Sequence, residues 1–169
     1  AIKAVYEDYR DDIADRDSVG FGNIPYKDTS GRNDFVTLKG AKDSANVYFY
    51  AQTAQPIVPA SNAYGMALLI KTGATPSGEN GYDYLIKTSR GAPAEIFRIQ
   101  ATSLVSVGFT DCAEEDDRLM VRVPRTLLED GGTLDIQFKW IDGCDPLDVF
   151  TFYTNGDCAP YGRLNFVFR

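Results

Sequence analysis

Short runs in which apolar and polar residues alternate recur along this chain. In residues 46–53, Val47, Phe49 and Ala51 share one phase, and two tyrosines and a glutamine occupy the other. A period of two is the pattern of a strand with one face in the core. Further strand-length runs are residues 35–39, 65–71, 82–88, 94–100, 103–109, 119–123, 134–141 and 164–168.

Turn-forming sequences separate these runs, among them Ser-Gly-Arg-Asn, Asp-Gly-Gly and Asn-Gly-Asp. Glycine, asparagine and aspartate tolerate the backbone angles that tight turns require. The pattern predicts an all-β protein, an antiparallel jelly-roll-like β-sandwich of about ten strands in two sheets. Arg32, inside one such turn, is a candidate partner for a buried carboxylate.

One helical turn is predicted at residues 124–129, because Pro124 suits a first helical position and two glycines follow. The carboxy-terminal stretch 138–169 is expected to form three short strands, including residues 148–153. No linker or internal repeat interrupts the sequence, so residues 1–169 are predicted to be a single module. The initial alanine favours a module cut from a larger multidomain protein.

Composition narrows the function classes. With 17 basic and 24 acidic residues, the net charge of −7 would repel a phosphate backbone, so no nucleic-acid partner is expected. No apolar run approaches the roughly 20 residues of a membrane span. The chain has no histidine, the commonest general base and zinc ligand, which favours a protein that is not an enzyme.

Three cysteines allow at most one internal disulfide. If the strands between residues 103 and 153 alternate in direction, the loops that hold Cys112 and Cys144 share one end of the sandwich. Cys158 then falls at the other end, too far for a bond. This alternation of strand direction predicts a Cys112–Cys144 disulfide. Three unpaired thiols in a reducing compartment remain the alternative.

Acidic residues concentrate in several segments, and Ca²⁺ is bound by six to eight oxygen ligands. The candidate calcium ligands are Asp11, Asp12, Asp15 and Asp17. Their spacing lacks the regular offsets and the glycine of a calcium-binding loop. A solvated acidic surface is therefore the competing interpretation.

Seven stretches, spread in order over nearly the whole chain, carry a family resemblance: RDSVGFG (16–22), TSGRNDFV (29–36), NVYFY (46–50), GYDYLIKT (81–88), VRVPRTLL (121–128), LDIQFKWID (134–142) and FYTNGDCAPYGRLNFVF (152–168). In them the chain resembles β-sandwich modules appended to secreted glycoside hydrolases, and is similar to family nine carbohydrate-binding modules. The last stretch is the most specific. One departure is Lys71, where relatives usually end a strand with an acid.

The resemblance implies a secreted, non-catalytic module that binds a polysaccharide or oligosaccharide and targets or braces a glycoside hydrolase. Its protein partner would be the catalytic domain of the same chain. The alternative is a structural β-sandwich without a ligand that packs against such a domain.

A sugar site needs exposed aromatic rings for stacking and polar groups for hydroxyls. The candidate binding residues are Tyr64, Tyr82, Asp83, Asn155, Asp157, Tyr161 and Arg163, with Asn80 as a further polar neighbour. Trp140 shares the apolar phase of its strand and is expected in the core. Tyr48 and Tyr50, on the polar phase, form either an exposed platform or a second packed face.

Overall fold

The structure is a computed structural model that describes residues 2–13, 16–28, 31–60, 64–73, 80–129 and 132–169. Its two helices, α1 (Arg125–Leu128) and α2 (Thr151–Thr154), are single turns. Its strands are β1 (Ile2–Glu7), β2 (Arg16–Val19), β3 (Pro25–Asp28), β4 (Phe35–Lys42), β5 (Asn46–Thr53), β6 (Ala67–Lys71), β7 (Tyr84–Ser89), β8 (Ala92–Gln100), β9 (Ser103–Thr110), β10 (Cys112–Glu115), β11 (Arg118–Pro124), β12 (Ile136–Asp142), β13 (Asp157–Ala159) and β14 (Phe166–Phe168).

The strands form two main antiparallel sheets. The five-stranded sheet has the order β1-β4-β5-β11-β10, and the seven-stranded sheet has the order β13-β12-β6-β7-β8-β9, with β14 also paired to β12. A third, two-stranded ribbon joins β2 to β3. The predicted all-β, sandwich-like class is confirmed, although the described residues contain more strands than the predicted ten.

The main core lies between the two large sheets. Phe49 of β5 meets Phe138 of β12 at 5.2 Å between ring centroids, in an edge-to-face geometry that aromatic pairs favour. Trp140 is fully buried beside Phe35, which confirms its predicted place in the core. The predicted helical turn is also confirmed, since α1 follows β11 directly and buries Leu128.

The seven-stranded sheet is buried on its second face as well. Residues 143–156 cross this face, and Phe152 packs there with Leu69 and Ile141 in a second apolar cluster. Burial on both faces explains the continuous apolar sequence of β6. The five-stranded sheet keeps a more open outer face, where Met120 is 44% exposed.

The prediction of a strand at residues 148–153 is wrong, because this segment folds into turns and α2. The Asp148 side chain accepts a hydrogen bond from the Phe150 amide at 3.0 Å, and the Thr151 hydroxyl donates to the Asp148 carbonyl at 2.7 Å. Such local bonds offer the backbone an alternative to strand pairing. Among the described residues, neither helix has the length or hydrophobicity needed to cross a bilayer.

Gly156 permits the tight return from residue 142 to β13. Its φ is +47°, and a Cβ placed there would lie 1.8 Å from the Asp142 carbonyl oxygen. Only glycine avoids this contact with backbone. The close approach sets Asp142 opposite Asp157 in the β12–β13 ladder.

Replacing Gly156 by alanine is expected to destabilise the protein more than the matched change Gly91→Ala. Both glycines have positive φ, but the space around Gly91 is open. Left-handed strain alone costs about 1–2 kcal/mol, and the clash at Gly156 adds about 1–3 kcal/mol. Urea unfolding of the two variants measures the difference, and equal losses would contradict it.

Candidate functional site

Two carboxylates face each other at one end of the β12–β13 ladder, where Asp142 pairs with Asp157. The Arg32 guanidinium holds Asp142 with two bonds, from Nε to Oδ2 at 2.8 Å and from Nη2 to Oδ1 at 3.0 Å. Asp142 is fully buried, so this bidentate pair replaces its hydration. The expectation that Arg32 binds a buried carboxylate is confirmed.

Asp157 belongs to a second group of acids at the same end. Carboxylate oxygens of Asp157, Asp12 and Asp34 all lie within 4.8 Å of one another. Asp157 accepts hydrogen bonds from the backbone amides of Phe35 and Cys158, each at 2.7 Å. Asp34 accepts one from the Asp11 amide at 3.0 Å. We call Asp12, Asp34, Asp157 and the neighbouring Asp8 the acidic cluster.

Burial and mutual repulsion disfavour charge in the acidic cluster. Burial, followed by repulsion from Asp12, raises the pKa of Asp8 to about 6. Burial likewise raises the pKa of Asp34, and it raises that of Asp157 well above its ordinary value. Within the described residues, Oδ2 of Asp8 and Oδ1 of Asp34 are buried without a hydrogen-bond partner.

Among the described residues, Lys139 and Arg10 partly oppose these pKa shifts. The positive charge of Lys139 lowers the pKa of Asp8, and that of Arg10 lowers the pKa of Asp34. Lys139 neighbours Trp140 on β12, so its side chain leaves the opposite face of that strand from the main core. Its ammonium donates to the Pro160 carbonyl and lies 5.8 Å from the Phe152 ring centroid. Arg10 is exposed to solvent, which screens its charge.

The predicted calcium ligands separate in the structure. Asp12 joins the acidic cluster, whereas Asp11 is exposed: its backbone amide donates to Asp34, and its charge helps to raise the pKa of Asp34. Asp17 is exposed and pairs with Lys27 at 3.6 Å. Asp15 lies outside the described residues. Sequence analysis missed Asp8 and Asp34 as cluster members because their burial depends on contacts between distant segments.

A cleft of about 300 Å³ opens beside the end of β6, close to the carboxy terminus. Two of the predicted sugar-binding residues, Tyr82 and Arg163, line it together. Its other lining residues are Lys71, Asn80, Gly81, Val149, Phe152 and Asn165. Phe150, 65% exposed, lies 5.8 Å from the Arg163 guanidinium.

Hydrogen bonds fix the amides of this cleft. The Tyr82 hydroxyl donates to Oδ1 of Asn165 at 2.6 Å, and Asn165 donates to Gln137 at 3.2 Å. Neither Lys71 nor Arg163 forms an ion pair with any residue that the structure describes. As far as the described residues show, the cleft presents two positive charges without ion-pair partners in a protein of net charge −7.

The remaining predicted sugar-binding residues lie apart from the cleft lining. Asp83 is buried and accepts bonds from the backbone and hydroxyl of Thr72. Asp157 belongs to the acidic cluster. The Tyr64 hydroxyl donates to Asp145 at 3.2 Å, outside the cleft. Asn155 and Tyr161 are both exposed, and Tyr161 packs edge-on against Tyr153.

Tyr48 and Tyr50 lie on the outer face of the five-stranded sheet, where both are partly exposed. The Tyr48 hydroxyl donates to Asp43 at 2.7 Å, and the Lys39 ammonium lies 4.7 Å from the Tyr50 ring centroid. The described residues place no second packed layer over these rings. Of the two alternatives for this pair, the structure agrees with a partly exposed platform.

The structure does not form the predicted Cys112–Cys144 disulfide, and all three cysteines are free thiols. The two residues belong to different layers: Cys112 starts a strand of the five-stranded sheet, whereas Cys144 lies in the second apolar cluster. Cys158 occupies that same cluster, contrary to the predicted separation. The prediction assumed that consecutive strands simply alternate in direction. It failed because the chain crosses at Asp111 from the seven-stranded sheet to the five-stranded sheet.

Comparison with protein-family models, curated proteins and solved structures yields no match to this chain. The family resemblance therefore stays a prediction from the sequence, and function is argued from the site alone.

Replacing Arg32 by alanine is expected to destabilise the protein by about 3–5 kcal/mol, because Asp142 would stay buried without its cationic partner. The control Arg169→Ala breaks an exposed pair with Asp135 and should cost at most about 1 kcal/mol. Equilibrium urea unfolding at neutral pH measures both losses. A loss for Arg32→Ala as small as the control's would refute the structural role of the buried pair.

In chelator-containing buffer, lowering the pH from about 7 to about 5 is expected to raise the melting temperature. The pKa of Asp8 is raised in the folded protein, so its protonation favours folding below about pH 6, and that gain is lost as the pH rises through this value. Asp8→Asn should reduce the gain. The control Asp135→Asn, which lies just before the opposite end of β12, should leave the gain unchanged. Scanning calorimetry of both variants at the two pH values measures the gain, and an equal gain in both would contradict the role of Asp8.

Proposed function

We propose that this protein is a non-catalytic carbohydrate-binding β-sandwich that holds its ligand in the cleft beside β6. The observation that carries the proposal is the convergence of Tyr82 and Arg163 with two amide side chains and Lys71 around one cavity. Fixed amides suit hydroxyl groups. The aromatic residues of the lining, Tyr82 and Phe152, are only 4% and 1% exposed, so they supply packed apolar surface and no free stacking face. The exposed Phe150 ring adds a stacking surface at the edge.

The charge of the cleft favours an acidic sugar as the ligand. Lys71 and Arg163 have no carboxylate partner among the described residues, so a ligand carboxylate would complete their ion pairs. An Arg guanidinium binds carboxylates with two parallel bonds. The proposed ligand is therefore a uronate-containing polysaccharide or oligosaccharide.

A binding role agrees with the chemistry of the described residues. Among the residues that the structure describes, the lining of the cleft contains no carboxylate, whereas glycoside hydrolysis usually requires a pair of them. In the proposed role, the module is secreted and targets or braces a glycoside hydrolase domain of the same longer protein. It supplies recognition, and the attached domain supplies the reaction.

A structural brace without a ligand is the second candidate, favoured by the edge strand β9. This strand pairs with β8 on one side, and it carries Val105, Val107 and Phe109 at 42–68% exposure. It contains no charged residue. Uncharged, apolar edge strands pair readily with other chains or domains, so β9 offers a surface for a neighbouring domain.

Arg163→Ala is expected to weaken binding to polygalacturonate about tenfold or more, because a charge-assisted hydrogen bond is lost. Binding should be stronger to polygalacturonate than to its methyl-esterified form, and it should weaken with added salt. Affinity electrophoresis and isothermal titration calorimetry provide the measurements. Phe150→Ala should also weaken binding through lost stacking.

Two controls separate the cleft from other surfaces. Arg169→Ala removes an exposed arginine outside the cleft and should leave binding unchanged. Tyr50→Ala tests the platform on the five-stranded sheet. Loss of binding in this variant, with normal binding by Arg163→Ala, would place the sugar site on that platform. Failure to bind any glycan of an acidic and neutral panel would favour the brace.

A further inference from the structure

Three segments that are distant in sequence bring carboxylates to one point. Asp12 lies between β1 and β2, Asp34 immediately precedes β4, and Asp157 begins β13. Their oxygens lie within 4.8 Å of one another although Asp34 and Asp157 are almost fully buried. Like charges at this distance repel strongly in a poorly hydrated environment. Something must therefore compensate them in the folded protein.

A second observation indicates a ligand at this point. Asp34 is only 6% exposed, and its Oδ1 accepts no hydrogen bond within the described structure. Oδ2 of the neighbouring Asp8 is in the same situation. A buried carboxylate oxygen without a partner loses its hydration and gains nothing in return. Bound cations satisfy such oxygens directly.

Among the described residues, the basic groups near the cluster donate no hydrogen bond to these orphaned oxygens. The Lys139 ammonium is engaged by the Pro160 carbonyl, on the opposite face of β12 from the main core. Arg10 is exposed. Asp142, the other buried acid at this end, has its own partner in Arg32. Within the described residues, Oδ2 of Asp8 and Oδ1 of Asp34 therefore stay without a partner.

The dimensions of the cluster fit a calcium ion. Ca²⁺ binds oxygens at about 2.3–2.6 Å, so two ligand atoms on opposite sides of one ion are roughly 5 Å apart. The 4.8 Å limit on the oxygens of Asp12, Asp34 and Asp157 falls within that span. Mg²⁺ demands a near-ideal octahedron at about 2.0–2.1 Å and usually keeps several waters, so a cluster of protein carboxylates suits Ca²⁺ better.

We propose that Asp12, Asp34 and Asp157 bind a Ca²⁺ ion, with Asp8 as a further ligand or close counter-charge. Each oxygen of Asp157 that accepts a backbone amide keeps a lone pair for the ion. The ion ties the amino-terminal segment and the strand entering β4 to the carboxy-terminal β13. Its role is structural, and it stands independently of the sugar cleft.

Thermal unfolding of the chelator-treated protein tests the proposal. Ca²⁺ at about ten times its dissociation constant should raise the melting temperature by roughly 3–6 °C. Mg²⁺ at the same concentration should raise it less. Asp34→Asn should abolish the calcium shift while leaving the metal-free protein as stable as the wild type or more so, since the change relieves repulsion.

Asp17→Asn is the matched control, because Asp17 is an exposed acid of the same amino-terminal region. It should retain the full calcium shift. Terbium luminescence gives a second, local readout: Trp140 is the single tryptophan and pairs with Ala159, two residues from Asp157. Excitation of Trp140 should sensitise bound Tb³⁺, and Ca²⁺ should displace it.

Two results would overturn the calcium site. One is an unchanged melting temperature with Ca²⁺ at millimolar concentration, which would mean that protonation alone compensates the acids. The other is a calcium shift that survives in Asp34→Asn but disappears in Asp17→Asn, which would place the ion at the exposed acids. Neither result bears on glycan binding in the cleft.

Discussion

The pairing of Asp142 with Asp157 at the end of the β12–β13 ladder is the constraint on which the rest of this structure depends. It brings two carboxylates into a buried environment, where each requires compensation. Arg32 compensates the first, and backbone amides at the start of β4 and β13 bind the second. The segment before β4 is thereby held against the carboxy-terminal part of the chain, and the segment before β2 is bonded in turn to Asp34.

The two sheets differ in how their outer faces are used. The segment after β12 folds across the seven-stranded sheet and buries Phe152 there, which makes that sheet a layer between two apolar clusters. The edge of this covering segment also supplies one wall of the cleft that contains Tyr82 and Arg163. Residues 142–165 therefore contribute to the ion pair, the acidic cluster and the cleft.

The placement of charge follows from this arrangement. Carboxylates collect at the β12–β13 end, whereas Lys71 and Arg163 at the cleft pair with no acid in the described parts of the chain. A protein of net charge −7 gains no solubility from two cations in a concave site. Complementarity to an anionic ligand is the physical reason we give for them, and a divalent cation is its counterpart at the acidic cluster.

The sequence by itself determined the strand class, because side-chain alternation is local: β5 spans the predicted residues 46–53, and Trp140 faces the core as its phase requires. Tertiary structure decided the rest. Residues 148–153 became turns and α2 because side chain–backbone bonds there compete with pairing. Cys112 and Cys144 lie in different layers because the alternation of apolar and polar residues does not specify to which sheet a strand belongs. Asp8, Asp12, Asp34 and Asp157 met only through long-range strand pairing, which no local pattern specifies.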